Sequence, residues 1–338
     1  MSSSKPSFLS QLAAWMLRLL LLPVVAFCAA ALWFDGPAPP VGAGLLAGAI
    51  ALAMLWLLFV KRGRAGTLLT VLLLLGVIVW WRSIPPRNDR EWMADVARLP
   101  AATVDGDRLL IENLRDFRWR SDTDFDAHWE TREYDLSAIT GMDLFLCYWG
   151  PREIAHTILS WEFSDGEHLA ISIETRKEVG EEYSALRGFF RQYELYYVVA
   201  DERDLVCVRT GCRGEEVYLY RLATPPARAR AMLLDYIASV NALVDAPSWY
   251  NAAVHNCTTS IFGHVYDILG EIPLDGRILR NGRIDEMLYE RGIVNTSAPF
   301  EALRSASRID GRPGTEAASR AGIPRAGLPQ RPPPPPGR

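Results

Sequence analysis

No glycine-rich phosphate loop and no dinucleotide-binding glycine pattern occurs in the chain, so the common nucleotide-cradling turns are excluded. Histidine and cysteine are scarce, five of each, and they never form the close pairs a structural zinc site uses. Neither a metal site nor a cofactor is expected. No internal repeat is visible. Positive charge is missing where a folded domain would display it. Residues 83–303 carry 23 basic and 37 acidic residues, a net of -14. Nucleic-acid phosphates need clustered cations, so this region has no nucleic-acid partner.

Apolar sequence is abundant instead. The 338 residues are 49% hydrophobic, with a mean hydropathy of +0.03 despite 22% charged residues. The length suits one or two domains. The average conceals three regions and rules out both a simple cytosolic globule and a wholly disordered chain. Residues 1–82 hold six basic and one acidic residue among long apolar runs. The runs cover 12–34, 41–60 and 66–81, each near the ~20 residues a helix needs to cross hydrocarbon. The first has the basic start and small residues of a signal peptide. Two more runs follow at once, so it reads as an anchor. Cys28 follows Phe27, too bulky for a lipoprotein cleavage site, and reads as an ordinary buried thiol.

Loop charge gives the orientation. Residues 35–40 contain no Lys or Arg, whereas Lys61, Arg62 and Arg64 sit between runs two and three. Positive loops stay inside. The expected location is therefore the inner (cytoplasmic) membrane, multi-pass, with the large acidic domain in the periplasm of a Gram-negative cell. Domain boundaries fall at 1–82 (three transmembrane helices), 83–304 (outer domain) and 305–338. The last carries Pro and six Arg against two acids, a composition that predicts disorder.

The outer domain reads as α+β. Strands are expected at 143–148, 155–163, 169–174, 193–200, 204–208 and 216–222, and helices at 226–244 and 258–269. Two stretches can carry chemistry. The first is Trp249-Tyr250-Asn251, then Asn256-Cys257-Thr258-Thr259 opening an apolar helix. A helix start lowers a thiol pKa because it stabilises thiolate. Buried cysteines are also common structural residues. The second is the hairpin around Ser164-Asp165-Gly166. A three-residue loop ending in a left-handed Gly pairs Phe163 with Glu167, and so sets His156 opposite Glu174 on one face. A two-residue loop would turn Glu174 to the other face. A carboxylate beside an imidazole fixes its tautomer and raises its basicity.

His156 with Ser160-Trp161-Glu162-Phe163, Ile171-Ser172-Ile173-Glu174-Thr175-Arg176, residues 193–204, and Trp249-Tyr250-Asn251 with Asn256-Cys257-Thr258-Thr259 together resemble the Lnb N-terminal periplasmic domain family, over roughly 111–285. That family is similar to permuted papain-like (NlpC-like) thiol enzymes, an antiparallel sheet plus helices in which the His strand precedes the Cys helix. The resemblance implies Cys257 as nucleophile, His156 as base and Glu174 as third member. It implies a thiol acyltransferase working through an acyl-Cys intermediate, N-acylating lipoproteins at the expense of phospholipid. In the namesake enzyme the membrane helices follow the thiol domain; here they precede it. A periplasmic peptidase or amidase acting on cell-wall peptides could use the same residues, and a non-catalytic membrane scaffold is the third reading. Asn256 or a backbone amide beside Cys257 is the candidate oxyanion support.

Other residues invite less chemistry. His168 is expected to face away on the surface, His264 to be structural, and His128 to lack a partner. His255 flanks Cys257. Arg176 is read as a surface ion pair, or as a hold on an anionic head group. Cys147 is read as core. Cys207 and Cys212 flank an expected turn, and in an oxidising compartment could close a disulfide.

Overall fold

The computed structural model describes residues 8–61, 63–254, 256–269, 275–278, 281–311 and 322–334. It contains two compact units: residues 1–86 with 184–192, and residues 87–183 with 193–338.

The first unit carries three helices, α1 (Phe8–Asp35), α2 (Pro40–Phe59) and α3 (Arg64–Arg82). All three are long and apolar enough to cross a membrane, with mean hydropathies of 2.2, 2.2 and 1.8. Val25, Cys28, Leu32, Met54, Leu58 and Leu74 pack inward, while many leucines face outward. That inside-out pattern suits hydrocarbon, where only internally satisfied backbones are stable. Residues 184–192 belong to this unit. Phe190 stacks near Phe27 and Phe34, and the Asp35 carboxylate accepts bonds from the Trp81 indole and the Gln192 amide.

The second unit is α+β. Its strands are β1 (Ala101–Asp105), β2 (Arg108–Arg115), β3 (Arg118–Trp119), β4 (Phe125–Asp126), β5 (Trp129–Asp135), β6 (Ile139–Tyr148), β7 (His156–Phe163), β8 (His168–Arg176), β9 (Glu194–Asp201) and β10 (Glu216–Arg221). Its helices are α4 (Glu202–Cys207), α5 (Pro226–Asp245), α6 (Cys257–Leu269), α7 (Ile284–Glu290) and α8 (Phe300–Ser307). Among the described residues, one sheet runs β1-β2-β9-β8-β7-β6-β10, with β5 also on β2. Its pairings are antiparallel except β2 with β9. β3 and β4 form a separate ribbon.

The sheet is covered on both faces, so its central strands read as nearly continuous apolar runs. Alternate side chains sort cleanly. Leu144, Leu159, Trp161 and Ile171 meet α5, α6 and α7. Phe145, Ile158, Ala170 and Val198 meet α4 and the C-terminal segment. Helix α5 starts on Pro226, where the missing N–H costs nothing. It buries Ala229, Met232, Leu233, Tyr236, Ile237 and Val240 at helical spacing.

Three expectations are corrected. Residues 204–208 are not a strand: α4 starts on an Asp201 cap that accepts from the Arg203 amide. It continues as a π-helix, Val208–Cys212, in place of the expected turn. The tail is not a solvated segment over its described part. Ile323 and Leu328 are buried, and Arg325 bonds both Asp143 and Glu202, two fully buried carboxylates that need a cation. Residues 312–321 and 335–338 lie outside the described part.

Candidate active site

The hairpin holds the three-residue loop. Phe163 and Glu167 close it, Gly166 sits at φ +88°, and the Asp165 side chain accepts from the Glu167 amide. The ladder Ile158↔Ser172 through Glu162↔His168 follows from that loop. The same register carries His156 to Glu174, and His156 Nε2 lies 3.0 Å from Glu174 Oε1.

His156 opens β7 and Cys257 opens α6. The two side chains adjoin, and each shifts the ionisation of the other. Because Nε2 faces Glu174 and the Ser172 hydroxyl (2.6 Å), Nδ1 is the nitrogen left for the thiol. Ser172 also donates to Glu174 at 2.8 Å. The Arg209 guanidinium reaches Glu174 at 2.9 Å and Glu215 at 3.0 Å. The series Cys257, His156, Glu174, Arg209, Glu215 therefore alternates in charge once the thiol is ionised.

The electrostatics follow. Burial and the Arg209 cation both oppose protonation of His156, yet Glu174 and the bond to Cys257 outweigh them and raise its pKa to about 9. Burial alone would push the Cys257 thiol up; the His156 hydrogen bond and charge, with Thr258, bring it down overall. Burial would also raise Glu174, but His156 and Arg209 hold it well below the usual carboxylate range. The sulfur and the imidazole titrate as a coupled pair.

Asn256 has a different task from the expected one. Its Oδ1 caps α6 by accepting from the amides of Thr258 and Thr259, each at 2.9 Å, and its Nδ2 donates to the Ala252 carbonyl. Asn281 was not singled out from the sequence. Its side chain accepts from the Ala155 amide at 2.8 Å and donates to the Ala155 carbonyl and to Thr258 Oγ1. It ties the residue before His156 to the residue after Cys257. The neighbouring Gly282 permits this approach, because a Cβ there would lie 2.0 Å from the Arg152 carbonyl oxygen.

The other residues separate from this group. His168 is buried, not on the surface, and it shares the sheet face of His156 at the far end of the hairpin, opposite Glu162. His264 is held between Asp235 (2.6 Å) and the Tyr197 hydroxyl (2.9 Å). Arg176 is buried, donating to the carbonyls of Val96 and Ala97 and stacking on Trp92, so it is neither a surface ion pair nor a head-group site. Cys147 is core, and burial raises its thiol to about 12. His128 does have a partner, lying 3.7 Å from Asp116. With Glu130 these two form the cluster among the described residues that could offer metal ligands, but Arg203 and Arg132 already neutralise its carboxylates. His255 lies outside the described residues.

Residues 125–282 match the family described as Lnb N-terminal periplasmic domain, a span that contains His156, Glu174, Cys257 and Asn281. This part of the chain belongs to the Lnb N-terminal periplasmic domain family. No curated protein and no solved structure matches the chain. With the three membrane-length helices, the protein is a membrane protein carrying a periplasmic domain. The sequence could have given Ser172, two residues before Glu174 on the same strand face. It offered no signal for Arg209 or Asn281, which arrive from distant parts of the chain.

Proposed function

We propose that the protein is a cysteine-dependent acyltransferase of the inner membrane, with its thiol domain in the periplasm, taking acyl groups from phospholipid and passing them to the amine of a lipoprotein. The observation that carries the reading is His156, held 3.0 Å from Glu174, adjoining a Cys257 thiol whose pKa it lowers. The basic residues between α2 and α3 support the inner-membrane orientation.

In the first half-reaction the Cys257 thiolate attacks the ester carbonyl carbon of the lipid. The C–S bond forms, the ester C–O bond breaks, and the His156 imidazolium gives its proton to the leaving alcohol. In the second, the acceptor amine attacks the thioester. The C–N bond forms, the C–S bond breaks, and His156 takes the proton from nitrogen, restoring the ion pair. Asn256 occupies the second and third amides of α6. The first, that of Cys257, lies next to the sulfur where the oxyanion develops, and serves as its donor.

The test is intact-mass and peptide mass spectrometry of the full chain after incubation with phosphatidylethanolamine vesicles. An acyl adduct on Cys257, absent in Cys257→Ala, is expected. Cleavage of a muropeptide with no acyl adduct would replace the reading with a peptidase.

A further inference from the structure

A cavity of about 300 Å³ lies between the sheet and helices α5, α6 and α7. It falls at the lower end of the ~300–1,000 Å³ range of small-molecule sites. Its walls are overwhelmingly aliphatic, Leu144, Leu159, Met232, Ile261, Val265 and Met287 among them. Two of its polar members are Thr157 and Thr258, the residues immediately after His156 and Cys257. Thr258 touches the sulfur of Cys257 at 3.7 Å, so the cavity reaches the thiol's own neighbour.

Thr157 supplies the second observation. It is 2% exposed, and its hydroxyl has no hydrogen-bond partner among the described residues. A buried hydroxyl left unpaired is costly, and such a group marks a place where a ligand atom is accepted. The cavity thus has two hydroxyls beside the reacting pair and a mainly aliphatic remainder, with Thr224, half-buried Arg228 and exposed Arg291 completing its lining. A peptide does not fit that division, because its repeating amides would need partners along the whole length. A fatty acyl ester does, with one polar group at one end.

We infer that this cavity is the binding pocket for the acyl chain of the lipid donor, with Thr157 bonding to the ester at its mouth. The inference rests on the acyl-transfer reading for its chemistry. A methylene is about the size of a water's ~30 Å³ share of liquid, so the space holds roughly ten chain carbons. That covers the distal part of a long chain while its first carbons extend to Cys257.

The test uses the full chain, wild type and Cys257→Ala, in phosphatidylethanolamine vesicles bearing a palmitoyl chain with a diazirine near its end. Crosslinks to the peptides of α5, α6 and α7 are expected in both proteins. Crosslinks confined to α1–α3 would overturn the pocket. An acyl adduct on Cys257 without cavity crosslinks would do the same while leaving acyl transfer standing. Cavity crosslinks without any adduct would keep the pocket and remove acyl transfer. Val265→Trp should also cut the preference for palmitoyl over octanoyl lipid by about tenfold; an unchanged ratio counts against the pocket.

Discussion

On one face of the sheet, side chains of β6, β7 and β8 meet α5, α6 and α7 in a layer that is almost wholly apolar, and a cavity remains in it. On the other face, the same three strands present Asp143, Ser160, His168 and Glu174, and ionic groups are buried in numbers. Asp143 and Glu202 are fully buried beneath Arg325, and Glu174 and Glu215 share Arg209. One face is mainly apolar, its buried charges limited to a few pairs such as Asp285 with Arg304 and His264 with Asp235; the other gathers its charges into shared networks in a low-dielectric setting. His156 belongs to the charged side and Thr157, the next residue, to the apolar side. A strand's alternation therefore delivers electrostatic tuning and lipid accommodation from adjacent positions.

The comparison can be broken most sharply at the sulfur. Cys257→Ser should lower acyl transfer by several orders of magnitude, as loss of a nucleophile does, with the thermal melt unchanged; residual turnover near wild type would detach the apolar pocket from any thiol chemistry. The charged face should respond in stability. Arg325→Ala leaves buried Glu202 without its cation, while Asp143 keeps Arg331 and Arg221, and should cost about 3–5 kcal/mol in denaturant unfolding. A loss below 1 kcal/mol would mean the C-terminal segment is only loosely seated.

Glu174→Gln should be milder and is best read in pH. Alkylation of Cys257 requires the thiolate, so its rate should fall as pH drops through the depressed thiol pKa. Transfer should also fall above about 9, where His156 loses its proton. Removing the Glu174 charge should move that upper limb to lower pH; an unmoved limb would deny Glu174 its part. The same raised pKa contributes stability fully below the ordinary histidine value near 6.5, and that contribution is lost as pH rises through about 9. The smallest effect belongs to Asn256→Ala, about 1 kcal/mol for a lost cap. Asn256→Ser should restore stability. A drop in transfer of about a hundredfold without loss of stability would return Asn256 to the oxyanion role.

Local patterns were readable. The Ser164-Asp165-Gly166 loop set the register that unites His156 with Glu174, because a turn type is encoded in the few residues that form it. The helix start at Cys257 was equally local. Long-range partners were not. Asp204-Leu205-Val206-Cys207-Val208 has the β-branched content of a strand, but the Asp201 cap and the pairing of buried Asp204 with Arg115 make it helical. The tail's composition says disorder, yet Ile323, Arg325 and Leu328 suffice to anchor its described part against charges and apolar side chains that the sequence does not show to be adjacent.

Asn281 is followed by Gly282, the pairing in which an asparagine side chain most readily cyclises onto the next backbone nitrogen and deamidates. Here both reacting groups are engaged: the side-chain amide holds Ala155 and Thr258, and the Gly282 N–H is bonded to the Glu153 carbonyl. Folding therefore shelters this bond from chemical ageing. Once opened, the damage would not be silent. An aspartate at 281 would point an acceptor at the Ala155 carbonyl where a donor stood, loosening the residue before His156. Peptide mapping of stored protein should find position 281 intact in the folded state and converted after prolonged unfolding, so that the accumulated time spent outside the native state leaves a permanent covalent record beside the site.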